Sequence, residues 1–70
     1  MLTLIVHHHY RKAELDALAA IFAREQLQNC ISYPDHEERH YRLDASQLPD
    51  VRRRLREAEL MRAWLVKGSG

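Results

Sequence analysis

The order of hydrophobic periodicities along the chain restricts it to a small set of folds. Leu2–His8 is a short apolar, β-branched run, the pattern of a strand. From Arg11 to about Gln28, Leu15, Leu18, Ala19, Phe22 and Ala23 recur at helical spacing, without Gly or Pro. Glu14 and Asp16 lie near the positive end of that helix's dipole, and Gln28-Asn29 offers a C-terminal stop. Asn29–Tyr33 and Arg39–Leu43 read as two further strands around a turn centred on Pro34-Asp35. Asp44 with Gln47, or Ser46 before Pro49, can then open a second helix. Its inner stripe is Val51, Leu55, Ala58, Met61 or Arg62, and Leu65, with Leu48 packed near its start. Trp64–Lys67 has a second reading, as a short fourth strand.

The resulting order, β-α-β-β-α with an optional final β, predicts an α+β fold of the ferredoxin-like split βαβ kind. Its antiparallel sheet would carry both helices on one face and leave the other open. Seventy residues suit one such domain, 1–67, followed by Gly68-Ser69-Gly70 as a flexible tail. A core of this size rarely supplies more than about 3–5 kcal/mol net, so a second subunit would add useful stability.

Composition removes several function classes. With 46% hydrophobic and 30% charged residues the chain reads as globular, and no segment approaches the length of a membrane span. Met1–Val6 lacks the basic start and small-residue cleavage site of a secretory leader, so the expected location is cytoplasmic. Cys30 is the single cysteine, which excludes an internal disulfide and a paired-cysteine zinc motif. The two glycines sit in the tail, so no Gly-rich phosphate loop can form. A net charge of +1 does not by itself call for nucleic acid.

The first strand ends in His7-His8-His9, and alternation divides these rings between two faces. Leu2, Leu4, Val6 and His8 are expected to point inward, and Thr3, Ile5, His7 and His9 outward. In the second and third strands Ile31, Tyr33, Tyr41 and Leu43 are assigned inward, and Cys30, Ser32, His40 and Arg42 outward. The antiparallel neighbour then brings His40 beside His7 and His9, a candidate site for zinc, nickel or copper. No second shell that would orient the rings is identifiable, so a solvated surface patch outweighs a metal site, and no cofactor is expected. Cys30 is placed roughly 13 Å from His40 along the strands, at about 3.3 Å per residue, which separates it from any histidine base. Glu37 and Glu38 read as a solvated pair at a turn tip. With no competent catalytic set, the protein is not expected to be an enzyme.

Arg52, Arg53, Arg54 and Arg56 form the basic cluster of the second helix. From Val51 to Arg62 there are five arginines against two glutamates, and local pairing such as Arg53 with Glu57 makes a normal solvated face. The expectation is therefore a small binding or regulatory protein acting through protein contact, most simply as a homodimer. Its open sheet face would supply Ile5, His7, His9, His40 and Arg42. The competing readings are a nucleic-acid-binding module using Arg52, Arg53, Arg54 and Arg56, and a metal-binding protein using His7, His9 and His40.

Overall fold

A computed structural model describes residues 1–60 and 62–67. The described chain is a small α+β structure in which an antiparallel sheet carries two helices. Its elements are β1 (Leu2–His9), α1 (Lys12–Ile21), β2 (Leu27–Ser32), β3 (His36–Leu43), α2 (Leu48–Glu57) and β4 (Ala63–Lys67). Single 3-10 turns precede β2 at Arg24–Gln26 and α2 at Ala45–Gln47. The strands lie in the order β2-β3-β1-β4, each antiparallel to its neighbours. The expected tail at residues 68–70, and Met61 of the proposed helical stripe, lie outside the described residues.

The inward alternation of β1 holds: Leu4 and Val6 join Tyr41 and Leu43 of β3 in one core with Leu18, Phe22, Val51, Leu55 and Leu60. Helix α1 contributes Leu18, supported by Ala17 and Ile21, while Ala19 and Ala23 of the expected stripe are exposed. Phe22 caps α1 in an extended conformation and stacks on Tyr41 with ring centroids 3.7 Å apart. Such a pair contributes about 0.5–1.5 kcal/mol beyond its buried area. That turn shortens α1 relative to the expected helix, because Ala23 N donates to Gln26 Oε1 and the chain re-enters the sheet at Leu27.

Helix α2 also ends earlier than expected. Leu60 N donates to Leu55 O and Glu59 N to Arg56 O, the paired closure of a Schellman stop, with Glu59 in the left-handed region at φ 61°. Leu60 then drops into the core, and β4 follows as the short fourth strand.

Two register features set the surface. The hairpin turns tightly on Pro34-Asp35, Tyr33 N donating to His36 O, so β3 begins at His36, not at Arg39. A bulge between Leu27 and Asn29 shifts β2 by one residue against β3. Leu27 opposes Tyr41, yet Asn29 opposes His40, Cys30 opposes Arg39 and Ile31 opposes Glu38. Because side chains alternate with period two, the two-residue turn, which sets Ser32 opposite Glu37 and Ile31 opposite Glu38, inverts the expected faces of residues 30–33, and the bulge returns only Leu27 to the side of Tyr41. Ile31 and Tyr33 turn outward, and Cys30 and Ser32 turn toward the helix side.

Candidate functional site

The open face is organised by the β1–β3 register. His9 opposes His36, His7 opposes Glu38, Ile5 opposes His40 and Thr3 opposes Arg42. Residues opposed across an antiparallel ladder share a face, so the proposed contact residues Ile5, His7, His9, His40 and Arg42 do lie on one side. Ile5 is nevertheless only 8% exposed, which leaves little of it to contact a partner.

The histidine grouping differs from the sequence expectation. His7 and His9 meet edge to face, centroids 5.5 Å apart, but the third ring against them is His36, tilted on His7 at 4.2 Å. Tyr33 stacks on the far side of His36 at 4.4 Å, completing a row of four rings across the hairpin and β1. His40 sits two register positions away, opposite Ile5, because the short turn starts β3 early and moves its residues along β1. The correction therefore replaces the trio His7, His9 and His40 with His7, His9 and His36. Burial, with the neighbouring charges of His36, Arg62 and His9, pushes the His7 imidazole below its ordinary value. Among the described residues no group of three His, Cys, Asp or Glu side chains is spaced to hold a metal ion. His36 Nδ1 is already engaged by Asp35 Oδ1 at 2.8 Å.

Behind this face lies a polar network for which sequence reasoning gave no place. His8 is fully buried, its Nε2 lying 2.8 Å from Glu37 Oε1 and its Nδ1 2.9 Å from His9 O. Both ring nitrogens of His8 therefore lie within hydrogen-bond distance of an oxygen. Arg39 Nε donates to Glu37 Oε1 at 2.6 Å, and Ser32 Oγ donates to Glu37 Oε2 at 3.3 Å. Burial opposes ionisation of Glu37, but bonds from Arg39, Cys30 and His8 outweigh it and hold its carboxyl down at about 2. Burial, reinforced by the neighbouring Glu37 carboxylate, pushes the Cys30 thiol up.

Glu37 is thus a buried strand residue and not a solvated turn residue, since the turn is tighter and β3 longer than the sequence implies. Cys30 is indeed apart from the His7–His9–His36 row. It is the opposite sheet face that separates them: Cys30 lies across the ladder from Arg39, next to His40's own register position, so the expected separation along the strands is corrected. The one signal available in the sequence was His8, which alternation had already turned inward and which needed a buried partner.

The arginines of α2 stay apart from both features. Arg53 bridges Asp50 and Glu57, and Arg54 reaches Asp50 at 3.6 Å. Arg52 and Arg56 have no ion pair among the described residues and line a cleft of about 200 Å³ with Leu4, Leu55, Leu60 and Ala63.

The third feature is the edge. Every residue of β2, Leu-Gln-Asn-Cys-Ile-Ser, is exposed, and its outer backbone edge has no neighbouring strand among the described residues. The strand carries no charge and no proline, so the usual protections of an edge are missing apart from the bulge. No family model, curated protein or solved structure matches the chain.

Proposed function

We propose that the chain is a small non-enzymatic binding protein that acts through protein contact and works as a homodimer joined along β2. The observation that carries this reading is the exposed, uncharged edge of Leu27–Ser32. Antiparallel pairing of β2 with its twofold copy satisfies backbone groups on both chains and brings no like charges together. It also covers Leu27, Ile31 and the adjoining Tyr33, which are among the most exposed large apolar residues. The alternating element order and the strand order β2-β3-β1-β4 support a ferredoxin-like split βαβ frame for this edge. A single cysteine whose thiol is held protonated supports a cytoplasmic, non-catalytic setting.

Nucleic acid is the competing reading, because Tyr33 faces outward as base-stacking sheets require. The geometry favours it less: His36 is sandwiched between Tyr33 and His7, so ring faces that a base would need are spent on one another.

Sedimentation equilibrium tests the reading. The wild-type chain should be a dimer at micromolar concentration and Ile31→Lys a monomer, while Arg42→Glu on the open face should leave the dimer intact. A wild-type monomer at millimolar concentration, or dissociation by Arg42→Glu alone, defeats the edge-strand dimer.

A further inference from the structure

A cleft of about 340 Å³ opens between the C-terminal half of α1 and the inner side of β2 and β3. That volume is at the lower end of small-molecule sites. Leu18, Ala19, Phe22 and Leu27 make its apolar walls, and Arg24, Arg39 and the Tyr41 side chain are its polar lining. Two guanidinium groups and no carboxylate line it. Arg24 has no ion pair among the described residues. Arg39 spends Nε on Glu37 and one terminal N–H on the Tyr41 hydroxyl at 3.4 Å, and its remaining donors have no protein acceptor among the described residues.

We infer that this cleft is a binding site for a small monocarboxylate with an apolar tail, the carboxylate held by Arg39 and the tail lying against Leu18, Phe22 and Leu27. Glu37 Oε1 at 2.6 Å and the Tyr41 hydroxyl at 3.4 Å hold the Arg39 guanidinium in place before a ligand arrives. Its terminal donors beyond the one given to Tyr41 have no protein acceptor among the described residues. A guanidinium with parallel donors to spare matches the two oxygens of a carboxylate. The opening left by α1 over β2 supplies apolar surface that a neutral tail can cover.

Octanoate is the probe, titrated into the full chain while amide, methyl and Arg39 Nε resonances are followed. Saturable shifts confined to the cleft are expected at millimolar ligand, with octanol weaker by about tenfold or more for want of the charge-assisted bond. Arg39→Gln should lower octanoate to the affinity of octanol. Since that variant also disturbs the buried network, Ala19→Phe provides a second test: it fills the cleft from an exposed helix position, leaves Glu37 and Arg39 untouched, and should abolish the shifts. Equal affinity for octanoate and octanol, no saturable binding, or undiminished binding to Ala19→Phe overturns the assignment.

Discussion

His8 and Glu37, twenty-nine residues apart in the chain, form a hydrogen-bonded pair 2.8 Å long across the β1–β3 ladder, with His8 wholly shielded from water. The pair ties the C-terminal end of β1 to the start of β3. Through Ser32 it extends to the edge strand, and through Arg39 along β3.

Replacing Glu37 with Gln should therefore cost more than any other single acidic change in the chain. Breaking one side of a fully buried ion pair costs about 3–5 kcal/mol, and the partial exposure of Arg39 reduces the expected loss to about 2 kcal/mol. Urea unfolding of Glu37→Gln measures it. Glu38→Gln, one residue away on the outer face, is the control and should stay within about 0.5 kcal/mol of wild type.

Acid should destabilise the fold in two stages. The folded carboxyl of Glu37 sits at about 2 against an ordinary 4.5, so its contribution is complete above 4.5 and is lost as pH falls toward 2. His7 is also depressed, from 6.5, which means the folded state prefers the neutral ring. Its contribution is complete above 6.5 and declines as pH drops through the depressed value. Melting temperature measured against pH should slope gently below 6.5 and steeply below 4.5. The steep limb should shrink in Glu37→Gln, and the gentle one in His7→Asn.

Cys30 is exposed yet should react sluggishly. Burial and the neighbouring Glu37 carboxylate push its thiol above its ordinary value, so little thiolate is present at neutral pH. Alkylation by iodoacetamide followed against pH should run slower than for a free cysteine and speed up in Glu37→Gln. A wild-type rate matching the free amino acid is inconsistent with the network as described.

Zinc should bind weakly, and at a place the register selects. Imidazole resonances of His7, His9 and His36 should move together, with His40 nearly still, because His40 lies opposite Ile5 and away from the ring row. The stacked arrangement must be broken to aim ring nitrogens at one ion, which keeps the affinity low. Shifts centred on His40 would contradict the register.

Glu59→Gly should stabilise the protein. Glu59 occupies the left-handed position of the α2 stop at φ 61°, where a side chain costs about 1 kcal/mol that glycine avoids. The midpoint of urea unfolding should rise, with the slope unchanged.

Local periodicity in the sequence determined the two faces of β1, the existence of both helices, the central turn and the element order. These depend on contacts between near neighbours, so a short window of residues contains the cause. Helix lengths were decided elsewhere: Phe22 leaves α1 to stack on Tyr41, and Leu60 ends α2 by entering the core, both choices made by the sheet they pack against. The site residues depended most on tertiary structure. Starting β3 at His36 carried His40 away from His7 and put His36 in its place, and the same short turn set Tyr33 outward and Cys30 inward. Side-chain direction reverses with every residue of slip, so a change in turn length that shifts the pairing by one residue changes a whole face without leaving a mark in the hydrophobic pattern. For the same reason the sequence could turn His8 inward but could not name Glu37 as its partner, since only the closed register brings the two side chains within 2.8 Å.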